Sequence, residues 1–291
     1  MQNKPQPNEP ELDISIIIAC YNERPVLRDS VTRIVDVMNG SKYARSYELI
    51  FVDDVSRDNT VDIILELMEK YRDIPMRLIR HERNKGRGRT VMDGFEAARG
   101  RIMGFLDIDL ETPAHYIPVA ILEIERGAEV ATALRVYKFL WRTFYRQVLS
   151  VGYHRLVAAV LRVPLKDTEV GFKFFNRERA LPVLLECKDP GWFWDTEVMT
   201  RSYFSGLKIV EIPTLFIKRY DKQSSVRPLH DSLEYFRKLR HFQREAHRLE
   251  VEYRSRGLRP LEVQTISHPV GHGDEPQAEE LVASTKTAPT L

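Results

Sequence analysis

Apolar and polar positions in the first half of the chain alternate between two periods. Short, nearly continuous apolar runs have the character of buried parallel strands and lie at residues 14–19, 48–52, 76–79 and 102–106. Between these runs, apolar side chains recur every three to four residues, as in helices. This alternation, with its short loops, predicts an α/β fold over residues 13–110. We expect a doubly wound, mostly parallel sheet that binds ligands at the carboxyl ends of its strands.

The second half of the chain has a less regular pattern and no internal repeat. The segments predicted to be regular are strands at 129–134 and 172–175, a helical segment at 137–163, a helix around 196–204, a final paired edge made of 208–212 with 214–217, and a polar helix at 230–256. Residues 1–12 have the composition of a flexible arm. Residues 258–291 have the composition of a disordered acidic tail.

Charge is unevenly placed along the chain, although the net charge is only +2. Residues 135–166 contain seven Lys and Arg residues and no acid, whereas residues 260–291 contain five acids and a single Lys. A basic stretch of this kind favours an anionic partner.

Cysteine content and hydropathy indicate the environment of the protein. Cys20 follows an apolar strand and Cys187 lies near a predicted helix end, so we expect buried free thiols in a reducing compartment. Residues 1–13 are polar and Pro-rich, unlike a signal peptide. No apolar run approaches the roughly 20 residues that span a bilayer, so any membrane contact is expected to be peripheral.

The most informative motif is the acidic pair Asp107-Ile108-Asp109, which directly follows the predicted strand at 102–106. Both carboxylates can turn toward one divalent cation once the chain leaves the sheet. Mg²⁺ and Mn²⁺ prefer oxygen ligands, commonly one or two carboxylates completed by substrate phosphates. A solvated acidic loop is the alternative, but the position at a strand end favours the metal site.

Three further segments follow the other predicted strands. Asp53 could accept hydrogen bonds from a nucleobase, although a turn followed by a helix cap explains this segment almost as well. Tyr21 could flank a base. In the segment 83–88, Gly86 allows a close approach of the backbone to a ligand, and the flanking cations suit phosphates. All four segments are expected on one edge of the sheet.

These motifs together resemble the nucleotide-sugar half of family 2 glycosyltransferases with the GT-A fold, a Rossmann-like α/β architecture. In the second half, the segment 167–175 (DTEVGFKFF) resembles the D-x-x-x-G-[FY]-[RK] motif of dolichyl-phosphate mannose and glucose synthases. Residues 194–197 (WDTE) resemble their F-D-x-E region. Residues 209–213 (IVEIP), with Arg219 and Ser224, resemble their V-E-[VI]-P…R…S tail.

The resemblance implies a role for individual residues of this chain. Nucleotide-sugar contacts are implied for Ala19, Tyr21, Glu23, Val52, Asp53, Lys85, Gly86 and Asp107. Ligation of Mg²⁺ or Mn²⁺ is implied for Asp107 and Asp109. It is also implied for Glu111, which stands where mannose synthases usually have Gln. Acceptor and catalytic contacts are implied for Asp109, Arg135, Arg146, Ser150, Lys173 and Arg219. The chain departs from the family pattern at Ala19, at Val55-Ser56 and at Ser225.

The same resemblance divides the chain into functional regions. Residues 13–226 form the glycosyltransferase domain, with a nucleotide-sugar half at 13–110 and an acceptor half at 111–226, followed by the charged helix at 227–257. The aromatic and basic segment 137–163 is interpreted as a helical lid that docks on a membrane surface. A lid whose aromatics face only the core is the second interpretation. Nucleic acid is not expected as a partner.

The expected reaction is transfer of a hexose, foremost mannose from GDP-mannose, to a polyprenyl or dolichyl phosphate at the cytoplasmic face of a membrane. Single displacement would invert the anomer. The alternative donor is UDP-glucose. A transferase acting on a soluble saccharide would need a carboxylate base, for which Asp195 or Glu197 could serve. A nucleotide-sugar-binding adaptor without activity is a further alternative.

Overall fold

A computed structural model describes residues 12–44, 46–137, 157–218, 228–257 and 263–266 of the 291-residue chain. Within these residues, eight strands form one sheet in the order β3-β2-β1-β4-β6-β5-β7-β8. The strands are β1 Ile14–Cys20, β2 Tyr47–Asp53, β3 Met76–Arg80, β4 Ile102–Leu106, β5 Val130–Tyr137, β6 Phe172–Asn176, β7 Ile209–Phe216 and β8 Gln264–Thr265. β6 runs antiparallel to both of its neighbours, and all other adjacent strands are parallel.

Helices cover both faces of this sheet. They are α1 Leu27–Asn39, α2 Thr60–Lys70, α3 Arg87–Ala97, α4 Ile117–Glu125, α5 Arg177–Leu184, α6 Trp194–Phe204 and α7 Pro228–Ser255, with a 3₁₀ turn at Ala114–Tyr116. The apolar side chains form two buried clusters. One contains Ile34 of α1 and Ile121 of α4, and the other contains Phe95 of α3 and Trp194 of α6. The mostly parallel α/β sheet with flanking helices confirms the predicted fold class.

The register of the parallel strands places their carboxyl ends on one edge of the sheet. Cys20 is paired with Asp53, and Asp53 is paired with Arg80 of β3. On the other side of β1, Ile17 is paired with Phe105 of β4. The segments that follow these four strands therefore meet at the same edge, as predicted.

The antiparallel strand β6 brings the second half of the chain to this edge. Leu106 is paired with Phe172, so the start of β6 lies beside the end of β4. Thr132 of β5 is paired with Lys173, and β5 then continues toward the same edge as far as Tyr137. The helix predicted from residue 137 does not include that residue, because Tyr137 still pairs with Phe216 of β7.

The outer side of β7 differs from the sequence-based expectation. Residues 208–217 were predicted as two paired strands, but Ile209–Phe216 form one strand that passes through Pro213. β8 pairs with Val210 and Glu211, which also corrects the prediction of a disordered tail for Gln264 and Thr265. Farther along, Leu215 N donates to Tyr116 Oη (3.1 Å) and Ile217 N donates to Glu111 O (2.8 Å).

Several sequence-based predictions fall outside the described residues. These are the arm at 1–11, most of the predicted lid, and the tail beyond residue 266. Residues 157–161 are helical, as expected for the end of the segment 137–163. None of the helices in the described part of the chain is both long enough and apolar enough to cross a membrane. Both cysteines are thiols outside any disulfide, with Cys20 buried and Cys187 half-buried.

Candidate active site

Asp107 begins the loop that follows β4 and is partly open to solvent. Its backbone N–H donates to Gly171 O (2.8 Å), which fixes the end of β4 against the start of β6. Asp109 accepts a hydrogen bond from the backbone of Glu111 (3.3 Å), and both residues are half-buried. Ile108, the one residue between Asp107 and Asp109, is buried in the core and anchors the loop. Asp107 and Asp109 thus occupy the strand-end position that the sequence predicts.

Arg87 connects Asp107 to the second half of the chain. Its Nη2 and Nε lie 2.8 and 3.2 Å from Asp107 Oδ1, and its Nη1 forms an ion pair with Asp195 Oδ2. The guanidinium also lies 4.8 Å from the Trp192 ring centroid and 5.2 Å from that of Phe105. Burial by itself lowers the pKa of Arg87, but the charges of Asp107 and Asp195 outweigh it and raise that pKa.

Lys173 lies beneath this cluster, with no exposed surface. Its Nζ donates to Asp195 Oδ1 (2.6 Å) and to Val170 O (2.5 Å). Burial lowers the pKa of Lys173, although Asp195 opposes this shift. The predicted contact between Lys173 and a substrate is therefore not available in this arrangement. Lys173 is better described as a positioning residue that orients Asp195.

Asp54 organises the loop between β3 and α3. Its carboxylate accepts hydrogen bonds from the backbone of Lys85 (2.7 Å) and Gly86 (3.0 Å). The Nδ1 atom of the buried His81 lies 2.7 Å from Asp54 Oδ1, and its Nε2 lies 2.8 Å from Asp93 Oδ2. A carboxylate that holds two consecutive N–H groups fixes the backbone immediately before Arg87.

Lys85 is held by the same network on the surface. Its Nζ lies 2.8 Å from Asp93 Oδ2. Burial raises the pKa of Asp93, but hydrogen bonds from Lys85 and Arg89 outweigh it and lower that pKa. Lys85 therefore stays at the predicted edge, but it is ion-paired within the chain.

Gly86 and Gly88 are required by contacts inside the protein. A β-carbon on Gly86 would lie 2.5 Å from Pro190 O, and Gly86 also has a φ of +88°. A β-carbon on Gly88 would lie 2.5 Å from Cβ of Trp194. The close approach that the sequence predicts for Gly86 is thus made to the loop 188–191 of the same chain.

The loop 188–191 is held in place by Glu197. This carboxylate accepts the backbone N–H groups of Lys188 (3.0 Å) and Asp189 (2.8 Å), and Arg201 Nε donates to it at 2.9 Å. Glu197 is buried. Its hydrogen bonds join the start of α6 to the loop that contacts α3.

The loops after β1 and β2 are joined by hydrogen bonds. Asn22 N donates to Ser56 Oγ (2.9 Å), and Glu23 N donates to Thr60 Oγ1 (2.8 Å). The buried carboxylate of Asp53 accepts the Ser56 N–H at 3.3 Å. Asp53 therefore closes a turn, which is the alternative that the sequence left open, and a contact with a nucleobase stays a prediction.

The turn after β2 contains a backbone outlier. Val55 has a φ of +66°, in the left-handed region that β-branched residues rarely adopt. Gly or Asn, which the family resemblance implies at this position, would tolerate this conformation. The departure of Val55 from the family pattern therefore strains the backbone within the predicted nucleotide-binding edge.

The other predicted nucleotide-sugar residues differ in accessibility. Val52 is fully buried in the core, so its contact with a ligand stays a prediction, and Ala19 beside it is half-buried. Tyr21 is 43% exposed, as expected for a side chain that could flank a base. Glu23 is buried.

On the acceptor side, Arg135 lies near the end of β5. Its Nε and Nη2 form a two-point ion pair with Asp167 Oδ2 (2.6 Å) and Oδ1 (2.9 Å). The guanidinium also lies 5.6 Å from the Phe216 ring centroid. The other predicted acceptor contacts, Arg146, Ser150 and Arg219, lie outside the described residues.

The acidic residues fit a metal that takes part of its ligands from a substrate. Among the described residues, no group of three or more His, Cys, Asp or Glu side chains could hold a metal ion by itself. Asp107 and Asp109 supply two carboxylates on the partly open edge of the sheet. Mg²⁺ and Mn²⁺ commonly bind in this way, with phosphate oxygens completing the shell. Direct ligation by Glu111 stays a prediction.

Sequence reasoning missed the central position of Arg87. It treats Arg87 only as one cation flanking two glycines, whereas the structure places its guanidinium between Asp107 and Asp195. A signal was present, because Arg87 directly follows Gly86 in the loop between β3 and α3, and later motifs of the chain supply acids as partners. The roles of Asp54 and Trp192 were also missed, because their contact partners are distant in sequence.

Three glycosyltransferases are similar to this chain in sequence. The chain is 30% identical to glycosyltransferase AglD of Haloferax volcanii over 69% of this chain and 32% of the relative. It is 28% identical to the dolichyl-phosphate β-glucosyltransferase of Saccharomyces cerevisiae over 72% of this chain and 68% of the relative. It is 32% identical to the dolichol-phosphate mannosyltransferase of Pyrococcus furiosus over 70% of this chain and 56% of the relative. The chain thus spans only about a third of one relative and just over half of another.

Solved structures share the fold at low sequence identity. Glucosyl-3-phosphoglycerate synthase from Mycobacterium tuberculosis, in complex with Mn²⁺, UDP and glucosyl-3-phosphoglycerate, is similar with a TM-score of 0.57 and 17% identity, over 83% of this chain and 80% of that one. The mannosyltransferase PcManGT from Pyrobaculum calidifontis, in complex with GDP-Man and Mn²⁺, has a TM-score of 0.51 and 18% identity, over 86% and 73% of the two chains.

The sequence model of one family covers the strands and loops that build this edge. It matches residues 15–181, more than half of the chain, and this range includes β1 to β6, Arg87, the Asp107-x-Asp109 pair and Lys173. The sequence motifs, the sheet and the family match agree, and the chain belongs to glycosyl transferase family 2.

Proposed function

We propose that this protein transfers a hexose from a nucleoside-diphosphate sugar to a polyprenyl or dolichyl phosphate, with inversion at the anomeric carbon. The relatives from yeast and Pyrococcus furiosus are described as dolichyl- or dolichol-phosphate hexosyltransferases, which supports this acceptor class. The donor would lie along the carboxyl ends of β1 to β4, and the acceptor would approach from the side of β5.

The observation that carries this proposal is the state of Asp195 and Glu197. A soluble saccharide acceptor needs a base to take the proton of its hydroxyl group. Asp195 is buried between Arg87 and Lys173, and Glu197 is buried with three donors. A phosphate monoester has a second pKa of about 6, so it is largely anionic at neutral pH and needs no base.

The acceptor would instead require cations that align it for attack. Arg135 is the described residue best placed for this role, because it lies near the end of β5 on the catalytic edge. Its planar guanidinium can bind two oxygens and stays charged when partly buried. Because Asp167 already holds it at two points, the acceptor phosphate would use its remaining N–H group or exchange with that carboxylate. The family resemblance implies the same role for Arg146 and Arg219.

Asp107 and Asp109 would hold a Mg²⁺ or Mn²⁺ ion, which when bound would compensate the charge of the leaving diphosphate. Two of the chain's own features support the donor side. The backbone held by Asp54 presents Gly86 and Arg87 to the edge, and the joined loops at Asn22 and Ser56 form its other wall. These fixed loops would orient the donor with little rearrangement.

The identity of the donor divides the proposal into two branches. GDP-mannose and UDP-glucose are both candidates, because the two dolichyl-type relatives differ in the sugar that their names give. The acid-free basic segment 135–166 supports a peripheral contact with the cytoplasmic face of a membrane, where a lipid acceptor would be available. In this proposal residues 13–110 serve the donor, and residues 111–226 serve the acceptor.

The decisive experiment offers the purified protein a panel of labelled nucleotide-sugars with polyprenyl phosphate in anionic vesicles. We expect a lipid-linked sugar phosphate from either GDP-mannose or UDP-glucose, with a β-anomer from an α-linked donor. Transfer only to soluble saccharides would refute the acceptor class. Donor binding without any transfer would favour a binding subunit without activity.

Acceptor contacts are separated from donor contacts by steady-state kinetics. Arg135→Ala, Arg146→Ala and Arg219→Ala should raise the KM for the lipid phosphate or lower kcat, with donor binding nearly unchanged. Arg33→Ala is the matched control, because Arg33 is an exposed cation of α1 that pairs only with Asp29 among the described contacts. Loss of donor binding in the three variants would instead assign these arginines to the diphosphate.

A further inference from the structure

Arg87 and a divalent metal would compete for the same carboxylate. Asp107 Oδ1 accepts both Nε and Nη2 of Arg87 in this structure. Oδ2 of Asp107 faces Gly171, where a β-carbon would overlap it. One oxygen of Asp107 is thus engaged by a guanidinium, and the other is packed against backbone. A metal at Asp107 must therefore share or displace the contact with Arg87.

The charges around Arg87 are balanced without a metal. Asp107, Arg87, Asp195 and Lys173 are linked in this order by three ion pairs, so two positive charges face two negative ones. A divalent cation at the Asp107-x-Asp109 pair would place two more positive charges beside a largely buried guanidinium, and the carboxylate of Asp109 would offset only one of them. A nucleoside diphosphate would bring compensating negative charge. The cluster therefore disfavours the metal alone and favours the metal together with the diphosphate.

Arg87 also has the means to change partners without leaving its position. Its Nη1 is anchored on Asp195, whose carboxylate is itself held by Lys173. The side chain is 12% exposed, whereas the side chain of Asp107 is 41% exposed. Rotation about the Asp195 anchor would release Asp107 while one ion pair is retained.

We infer that Arg87 occupies Asp107 in the donor-free protein and exchanges this carboxylate for the donor diphosphate, so that metal and donor bind as a coupled pair. The inference rests on the proposed metal-dependent use of a nucleotide-sugar. It assigns Arg87 a coupling role. The donor diphosphate draws Arg87 away from Asp107 and so frees the carboxylate for the metal, and the metal on Asp107 frees Arg87 for the diphosphate. Coupling between two ligands is reciprocal, so the metal would raise donor affinity by the same factor by which the donor raises metal affinity.

The test measures Mn²⁺ binding to the full-length protein in the absence of nucleotide, from the loss of the free Mn²⁺ signal in electron paramagnetic resonance. Arg87→Met should raise Mn²⁺ affinity about five-fold or more, the usual lower range of such couplings. Arg87→Lys should give a smaller gain, because an ammonium group lacks the planar fork that holds both carboxylates. Arg89→Met is the matched control from the same helix, since Arg89 pairs with Asp93 and Glu96.

A second arm measures UDP and GDP binding in excess chelator by calorimetry. Arg87→Met should weaken binding of the nucleotide that the wild-type protein prefers, whereas Arg89→Met should not. The double variant Arg87→Met, Asp109→Ala should lose the gain in Mn²⁺ affinity, which would locate the gain at the Asp107-x-Asp109 pair. If Arg87→Met does not fold, as judged by circular dichroism, Arg87→Lys decides the question.

Unchanged or weaker Mn²⁺ binding by a folded Arg87 variant would overturn the inference, as would a gain that survives in the double variant. Neither arm uses an acceptor or measures turnover. If no sugar is transferred to polyprenyl phosphate but Arg87→Met still gains Mn²⁺ affinity, only the proposed function is refuted. If the wild-type protein glycosylates the lipid phosphate but Arg87→Met does not gain Mn²⁺ affinity, only the coupling role is refuted.

Discussion

Gly171 packs directly against the carboxylate of Asp107. The Gly171 carbonyl accepts the Asp107 N–H at 2.8 Å, and a β-carbon at Gly171 would overlap Asp107 Oδ2 and Cγ. The φ of Gly171 is not in the left-handed region, so the close approach, and not backbone strain, requires glycine here. The glycine of the D-x-x-x-G-[FY]-[RK] motif thus sets the position of an acid in a different motif.

Gly171→Ala should displace the Asp107 carboxylate and lower kcat/KM by at least tenfold. Overpacking of a tight contact costs about 1–3 kcal/mol, and here the cost falls on a predicted metal ligand. Activity and the urea midpoint of unfolding are measured together. Gly40→Ala is the control, because its β-carbon would be no nearer than 3.3 Å to Asp36 O. Full activity of Gly171→Ala would show that Asp107 tolerates movement.

Asp109→Ala should abolish the response of activity to Mg²⁺ or Mn²⁺. Asp109 lies on the loop after β4. Removal of a carboxylate that holds a catalytic metal costs about 3 kcal/mol of transition-state stabilisation. Rates are measured across a metal titration. Normal turnover of Asp109→Ala in excess chelator would contradict a metal role for this residue.

Asp53→Ala should weaken binding of the free nucleoside diphosphate as much as binding of the donor sugar, because Asp53 ends β2, away from Asp107. A lost charge-assisted hydrogen bond costs about 1.5–3 kcal/mol. Calorimetry with both ligands measures the two losses. Asp53→Asn keeps an acceptor for the Ser56 N–H. If Asp53→Asn binds nucleotide normally while Asp53→Ala does not, the residue serves the turn and not the base.

Val55→Asn should stabilise the protein by about 1 kcal/mol, because Asn adopts a φ of +66° with less strain than a β-branched residue. Chemical unfolding of the purified variants measures the difference. Val55→Thr is the matched control, since Thr keeps the β-branch and the strain. A more stable Val55→Asn variant with altered nucleotide affinity would indicate that the strained turn contributes to binding.

Glu211 should make stability depend on pH. Burial raises the pKa of its carboxyl above the ordinary 4.5, although hydrogen bonds from the Lys166 and Asp167 backbone oppose this shift. The native state therefore holds this proton more tightly than the unfolded chain does. The resulting stability is fully present below pH 4.5 and is lost as pH rises through the higher native pKa.

Glu211→Gln carries no titrating carboxyl, so it tests this dependence. The free energy of unfolding of the wild type should fall relative to that of Glu211→Gln as pH rises above 4.5, and then the difference should become constant. Urea unfolding over a pH series measures it. Glu66→Gln, at an exposed position of α2, is the comparison for a surface carboxylate. A difference that is independent of pH would contradict the raised pKa.

The sequence predicts the first half of the fold well because β1, β2 and β4 are buried on both faces. Such strands appear as continuous apolar runs, and their order with the helices restricts the topology. β8 contains only two residues and has no such signal. The sequence predicts two paired strands at 208–212 and 214–217, whereas the structure includes Pro213 within the single strand β7, where its missing N–H is tolerated.

The sequence predicts which strand ends carry the candidate site residues, but it does not predict the contacts that these residues make with distant parts of the chain. Asp107 and Asp53 follow strands, so local patterns place them at the edge of the sheet. The ion pair of Arg87 with Asp195 joins residues 108 positions apart, and no local pattern reports such a contact. Burial of Lys173 was also not predictable, because its charge argues for an exposed position until the buried partner Asp195 is known.

The outer side of β7 has a consequence for self-association. An unpaired strand edge invites addition of a strand from another molecule, which is a route to aggregation. Here β8 pairs with Val210 and Glu211, and Pro213 offers no N–H. The N–H groups of Leu215 and Ile217 are bonded to Tyr116 and Glu111. A chain shortened after α7 would uncover the lower part of this edge, and we expect it to aggregate as concentration rises.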